Sequence, residues 1–383
     1  MRLLWRIGFC GASEFEDRSG GQAVAANAGV VMGKLQQSAA WLVIGAVVVA
    51  LLVLAKSLLI PFVFALLIWM LLNALTRRFQ SLPLIQDKMP ALLAFLLSLA
   101  TIFVALIFVI DLISDNVSQV AAASDRYQEN LNRLWDRVGR MIGAEELINL
   151  NDYMSKINVA DLFRQLATVF GAAVGNLGII IIYVTFLLVE QKAFPLKMKA
   201  LYPDDGRRAA IAQLLSKIVR QVQGYLWIKT QTSVLTGVLS YGVLAMVGVD
   251  FAAFWGFIIF LLNYIPTIGS LIGVIFPALL TLVQFDGMAA FWVVTPLLSL
   301  LQFVIGNVLE PAIMGRSLNV SAFVVVVALI VWAFLWGIPG MFLGVPLTIS
   351  AMIVLAAFPT TRPLAVALSS DGTLDLEPIA PQP

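Results

Sequence analysis

Residues Phe251 to Phe285, FAAFWGFIIFLLNYIPTIGSLIGVIFPALLTLVQF, contain no charged side chain. A helix rising 1.5 Å per residue crosses a ~30 Å hydrocarbon core in roughly 20 residues. The run is too long for one crossing, and its apolar character suits lipid rather than water. Near its middle lies NYIPTIGS, Asn263 to Ser270. Pro266 removes a backbone donor and collides with the preceding turn, while Gly269 permits a tight reversal. The stretch reads as two short helices folded back on each other at this break.

A second run, Ser317 to Thr361, is also free of charge and longer still. It is interrupted by WGIPGMFLG, Trp336 to Gly344, which places Gly337, Pro339 and Gly340 as hinges to match Pro266 and Gly269. Shorter uncharged runs, 35–55, 57–76, 91–110, 165–189, 230–249 and 287–309, each fit one span. Composition agrees: 61% of residues are hydrophobic, 12% charged, and mean hydropathy is +0.95. An average soluble domain is about a quarter charged. The expected fold is all-α: a polytopic membrane protein of about eight transmembrane helices, two Pro/Gly-broken hairpins among them, with amphipathic helices outside and inside.

The basic residues orient it. Arg2, Arg6, Arg18 and Lys34 precede the first span, and Arg77, Arg78 and Lys88 follow the second. Lys192, Lys197, Lys199, Arg207, Arg208, Lys217, Arg220 and Lys229 crowd the segment after the fourth, against three acids. Positive charge accumulates on the cytoplasmic side, so both termini are expected in the cytoplasm of a multi-pass inner-membrane protein. The resulting plan is a disordered cytoplasmic tail, 1–37, with no signal peptide; three spans, 38–113; and an extracytoplasmic helical segment, 114–168. A span, 169–190, leads to a cytoplasmic amphipathic helix, 191–230. The core with its broken hairpins, 231–360, and a disordered tail, 361–383, complete it. On this plan the first hairpin points inward and the second outward. Opposed broken helices of this kind are the sequence pointer to inverted repeats in secondary transporters.

Chemistry narrows the function further. There is no His and one Cys, Cys10, so no metal site or disulfide is expected. The nearest approach to a nucleotide-binding loop, GVVMGKL at Gly29 to Leu35, is one residue short and ends in Leu instead of Ser or Thr. Neither an enzyme nor a cofactor is expected, and a net charge of +2 gives no reason to expect nucleic acid. Polar groups concentrate instead at the first break and between the hairpins. Asn263, Pro266, Thr267, Gly269, Ser270, Gln302, Asn307, Glu310 and Arg316 are the candidate substrate path. Glu310 and Arg316 are close enough in sequence to pair, and an ionisable residue at membrane depth is a functional candidate by default.

The stretches GYLWIKTQ (Gly224–Gln231), NYIPTIGS, NVLEPAIMGRSL (Asn307–Leu318) and WGIPGMFLGVPL (Trp336–Leu347), with PFVFALL (Pro61–Leu67), together resemble the autoinducer-2 exporter family, the PerM-like permeases. The resemblance runs from about residue 38 to about 360. It implies a bacterial inner-membrane transporter without a nucleotide-binding domain, homo-oligomeric and pentameric in some members. It also implies motif positions at Asn263, Pro266, Gly269, Asn307, Glu310, Pro311, Gly315, Gly337, Gly340 and Pro346. Many members resemble one another in a His-Pro pair after the Pro-x-x-x-Gly element; here the stretch reads Ser321-Ala322.

Three functions are therefore in play. The first is a secondary transporter that exports a small polar solute such as autoinducer-2. A sodium/proton antiporter with Glu310 as its carboxylate is the alternative. A membrane scaffold that transports nothing, and binds partners through 115–168 and 207–229, is the third. The lipid bilayer is the partner common to all.

Overall fold

The computed structural model describes residues 39–40, 42–81, 89–142, 171, 175–285, 287–314 and 319–374. The expected tail 1–37, Asp286, Gly315, Arg316 and residues 143–168 of the expected outer segment lie outside them. The chain divides into two units, Met1–Leu59 and Ile60–Pro383. In the first, the apolar helix α1 spans Leu42–Leu54.

The helices that follow are α2 (Lys56–Gln80), α3 (Ala91–Ile142), α4 (Leu177–Leu201), α5 (Asp205–Val247), α6 (Ala252–Leu262) and α7 (Ile268–Gln284). Then come α8 (Ala289–Val304), a π-helical turn (Ile305–Leu309), α9 (Glu310–Met314), α10 (Ala322–Trp336), α11 (Ile338–Ala357) and α12 (Arg362–Leu368). Among the described residues, six stretches are long and apolar enough to cross a membrane: α2, Ala91–Leu112 of α3, α4, α5, Ala289–Met314 and α11. This is the polytopic helical membrane protein that the composition predicts. Large apolar side chains such as Leu54, Met246, Phe323 and Phe334 face outward, as they must where the surroundings are lipid.

Three helices run through boundaries expected from the charge pattern. Lys192, Lys197 and Lys199 do not end α4, which continues to Leu201, and α3 continues past Asp111 and Asp115 to Ile142. Most clearly, α5 is one helix of 43 residues in place of a cytoplasmic helix followed by a span. Nothing between Asp205 and Val247 breaks it. Asp204 caps its start by accepting a hydrogen bond from the Arg207 amide at 2.6 Å, and Gly248, at φ +81°, closes its end. Charge marks where a helix meets water, whereas helix ends are set by caps and breakers.

Both breaks lie where the sequence puts them. α6 stops at Leu262 and α7 starts at Ile268; α10 stops at Trp336 and α11 starts at Ile338. Their lengths differ. α6, with 11 residues, rises only ~16 Å and is too short to cross a ~30 Å hydrocarbon core, while α11, with 20, is long enough. α6 packs on α5, with Gly237 and Gly256 facing each other so closely that a Cβ on either would approach the other's carbonyl oxygen to 2.8–2.9 Å, and α7 packs on α6 and α8. Such small-residue crossings bring helix backbones together in lipid. A core of Leu244, Phe254, Trp255, Ile258, Leu280, Val294 and Leu298 lies between α5, α6, α7 and α8.

The described part of the C-terminal segment departs from the expected disorder. α12 packs on α11 through Ala365 against Met352 and Ala356, and Val320 pairs antiparallel with Ser369. Ala365, fully buried, and Leu368, partly buried, supply the apolar contacts of this short segment.

Candidate functional site

α5 carries a stripe of buried polar and small residues: Lys229, Thr232, Ser233, Thr236, Gly237 and Ser240. They recur every three or four residues and so share one face. Thr230, Thr232 and Thr236 donate their hydroxyls to carbonyls four residues back, at 2.7, 3.1 and 2.7 Å. This satisfies them within their own helix.

The first hairpin ends against this stripe. Lys229 Nζ lies 2.6 Å from Glu310 Oε1 and donates to the Asn263 carbonyl at 3.1 Å. Asn263 Nδ2 in turn donates to Ser233 Oγ at 3.0 Å. The pair is buried, with 3% of the Lys229 side chain and 13% of that of Glu310 exposed. Each contact has a physical cause. Where α6 stops, its last carbonyls lack intrahelical partners and form the negative end of the helix dipole, so a cation is favoured there. An ion taken out of water costs several kcal/mol, which only close pairing and further hydrogen bonds offset. Lys229 receives both, from Glu310 and from the broken helix.

Glu310 is delivered by the π-helical turn. Gln302 and Glu310 are eight residues apart and in a regular α-helix would stand roughly 80° apart around the axis. The extra residue in the π turn slows the rotation and swings Glu310 towards the face of Gln302. Gln302 is buried against α7, where a Cβ on Gly273 would sit 3.3 Å from its Nε2.

The tip itself is strained. Thr267 adopts φ +61° and ψ −55°, a conformation costing a residue with a Cβ about 1–3 kcal/mol. Gly269 lies so near the Leu262 carbonyl that a Cβ there would fall 1.7 Å from its oxygen. Gly340 repeats this in the second hairpin, at 1.9 Å from the Trp332 carbonyl oxygen. The two hairpins meet near their tips, where Tyr264 stacks on Phe342 at 4.7 Å and accepts or donates a 2.8 Å hydrogen bond with Thr230.

The base of the first hairpin is clasped by α3. Tyr127, fully buried, donates its hydroxyl to Asp250 at 2.7 Å, and Arg126 pairs with the same carboxylate at 2.5 Å. Gln284 bridges the two strands of chain there, accepting from the Asp250 amide at 2.8 Å and donating to the Gly248 carbonyl at 2.7 Å. Burial, and then the bond to Asp250, push the Tyr127 phenol well above its ordinary value. Further along the expected extracytoplasmic segment, Leu131, Leu134, Trp135, Val138, Met141 and Ile142 have side chains outside the described residues.

The structure thus brings Asn263 and Glu310 together through Lys229 and places Gln302 in the same interior. Pro266 and Gly269 shape the turn. Thr267 and Ser270 bond within it, to the Pro266 carbonyl at 2.6 Å and the Thr267 carbonyl at 2.8 Å, and Asn307 faces outward, donating to the Phe303 carbonyl at 3.3 Å. The expected partner of Glu310, Arg316, lies outside the described residues, and the observed partner is Lys229. Sequence reasoning assigned Lys229 to the cytoplasmic basic cluster. The signal that finds it is the polar stripe from Tyr225 through Lys229, Ser233 and Thr236 to Ser240, continuous with the following span.

The profile of the AI-2E family transporters matches residues 41–360. The chain belongs to that family. Among its relatives, the Escherichia coli K12 protein named AI-2 transport protein TqsA is 30% identical over 324 residues, covering 82% of this chain and 90% of its own length. A Haemophilus influenzae relative is 29% identical over 325 residues, 82% of this chain and 91% of its own. Escherichia coli YhhT is 35% identical over 195 residues, 51% and 55% respectively. As a family member the protein is a multi-pass membrane transporter, and its buried polar site lies within the matched region.

Proposed function

We infer that this transporter is a secondary exporter of a small, polar, uncharged solute across the bacterial inner membrane, both termini being cytoplasmic. Autoinducer-2 is the first candidate, which would place the protein in quorum signalling. The observation that carries the reading is the end of α6 inside the bundle, with the carbonyl and side chain of Asn263, Ser233 and the Lys229–Glu310 pair gathered at one point. Non-helical backbone at membrane depth is tolerated only where protein buries it or a wet cavity meets it. The Tyr225 hydroxyl, one helical turn before Lys229, is buried without a hydrogen-bond partner among the described residues, leaving a donor for a solute hydroxyl. Asn263, Thr267, Ser270, Gln302 and Asn307 supply further donors and acceptors suited to a polyol. Opening of the hairpin at Pro266 and Gly269 would expose the two buried ones, Asn263 and Gln302, in turn. The relative named for AI-2 transport supports this choice of solute, and the family resemblance supports a homo-oligomer, pentameric as in other members.

The test is flux in proteoliposomes containing the full chain. Autoinducer-2 is expected to move down its gradient, and the Asn263→Ala variant to lose that movement. Flux equal to that of empty liposomes rejects the substrate.

The burial of Glu310 favours a second reading, sodium/proton antiport. Its carboxylate and the Asn263 carbonyl present oxygens to the Lys229 ammonium, as a cation would require. Glu310→Gln should then abolish dye-reported antiport while a polyol gradient still dissipates. Antiport that survives this substitution rejects the role of Glu310.

A further inference from the structure

A cavity of about 720 Å³ lies between the end of α2, the end of α4 and the first half of α5. Phe194, Met198 and Leu215 line its apolar part, and Arg77, Arg220 and Gln223 its polar part, with no acidic residue around it. It is separate from the buried ion pair, since Arg220 precedes Lys229 by nine residues, ~13 Å along the axis of α5.

Arg77 is oriented without being neutralised among the described residues. Arg77 Nη2 donates to Gln223 Oε1 at 2.5 Å, and Gln223 Nε2 donates to the Met70 carbonyl at 2.8 Å. A neutral amide therefore orients the guanidinium and leaves its charge uncompensated. Arg220 forms no ion pair among the described residues. Next to Arg77, the Arg78 guanidinium lies 5.3 Å from the Trp227 ring centre, adding a further cation held at the same end of the helices. A planar guanidinium presents a fork of N–H donors that matches phosphate oxygens, and it is less strongly hydrated than an ammonium.

We propose that this cavity is a binding site for an anionic phospholipid, with the headgroup phosphate between Arg77 and Arg220 and an acyl chain along Phe194, Met198 and Leu215. Three observations select a lipid. Arg77 lies in the last turn of the apolar span α2, where a span gives way to headgroups, and Arg220 lines the same cavity from α5. The apolar lining is continuous with lipid-facing surface, Phe194 being 45% exposed. A soluble anion would gain nothing from that lining, while a zwitterionic lipid would bring a cationic group to two unpaired arginines. Basic pockets between membrane helices select anionic headgroups for this reason.

Native mass spectrometry of the purified full-length protein, with phosphatidylglycerol or phosphatidylcholine added in turn, tests the proposal. Phosphatidylglycerol should be retained about tenfold or more over phosphatidylcholine, as expected where two arginines meet a headgroup of net negative charge in place of one neutralised by its own ammonium. The doubly substituted protein, Arg77→Gln with Arg220→Gln, should retain both lipids alike. Leu215→Trp, which fills the apolar part and leaves both arginines, should also lose the preference. It serves as a second probe should the double variant fold poorly. A photoactivatable acyl chain on phosphatidylglycerol should crosslink to Phe194, Met198 or Leu215. Equal retention of the two lipids by the unaltered protein, undiminished preference in both variants, or crosslinks elsewhere would overturn the site. Displacement of the lipid by glycerol phosphate alone would show that a soluble anion is the occupant and would overturn the lipid assignment.

Discussion

The two broken hairpins share a turning device and differ in nearly everything attached to it. In each, a glycine in the returning helix, Gly269 or Gly340, lies against a carbonyl of the outgoing one, Leu262 or Trp332. The first hairpin is short, has a strained threonine at its tip, and brings a free helix end to a buried Lys229–Glu310 pair. The second is longer and almost wholly apolar, with a single side-chain hydrogen bond across it among the described residues, from Trp332 Nε1 to Thr348 at 3.2 Å. Repetition of a backbone device therefore does not imply repetition of chemistry. On the function inferred above, the first hairpin binds and moves while the second braces it.

Removing one member of the buried pair should produce the largest effect. Lys229→Ala leaves Glu310 and the Asn263 carbonyl without their cation and should cost about 3–5 kcal/mol of stability, read as a lowered melting temperature in detergent. Thr348→Val in the second hairpin removes two neutral hydrogen bonds, one from Trp332 and one to the Gly344 carbonyl, and should cost about 1–2 kcal/mol. Comparable losses in the two variants would erase the contrast between a charged and an apolar hairpin.

The glycines come next. Gly269→Ala and Gly340→Ala each force a Cβ onto a backbone oxygen, so both should lose about 1–3 kcal/mol by overpacking. Their effects on transport should diverge, with solute flux abolished in Gly269→Ala and only reduced in Gly340→Ala. Equal loss of flux at matched stability would show that the second hairpin moves as the first does.

A smaller effect is expected at the clasp on the base of the first hairpin. Tyr127→Phe removes a hydrogen bond to a carboxylate that Arg126 still holds, at a cost of about 1.5 kcal/mol. The phenol is raised by burial, so its contribution is constant below about pH 10, the ordinary tyrosine value, and declines as pH rises beyond that. Melting curves followed into alkaline pH should show that decline in the unaltered protein and a shallower one in Tyr127→Phe. Identical curves would remove the clasp from the description of the first hairpin.

How much of this was legible in the sequence depended on which physical signal carried it. Both breaks were readable because Pro266, Gly269, Gly337, Pro339 and Gly340 act through the local backbone, within a few residues of their position. The spans were readable because lipid demands about 20 apolar residues of each. Lys229 was misplaced for a related reason. A lysine at the edge of an apolar run reads as a solvated marker, and only the folded bundle shows that the end of α6 and the Glu310 carboxylate meet it there. The π turn that aims Glu310 has no local signature in Ile305–Leu309, which would extend equally well as an α-helix. The ordered Arg362–Leu368 helix was hidden by the Pro and acidic residues that follow it, whose composition outweighed a short apolar stretch.

The smallest expected effect lies where the two hairpins touch. Tyr264 and Phe342 stack at 4.7 Å, and such aromatic pairs contribute about 0.5–1.5 kcal/mol beyond their buried area. A double-mutant cycle with Tyr264→Leu and Phe342→Leu isolates that coupling from the Thr230 hydrogen bond, which Tyr264→Leu alone also removes. Stability should show a coupling within this range. Transport distinguishes the possible roles of the contact more sharply. If the second hairpin braces the first, uncoupling the rings frees the tip at Asn263, so both single variants should raise passive leak of the solute and the double variant should raise it no further. Additive increases in leak would mean that the rings act separately, and the two hairpins would then have to be described as independent parts.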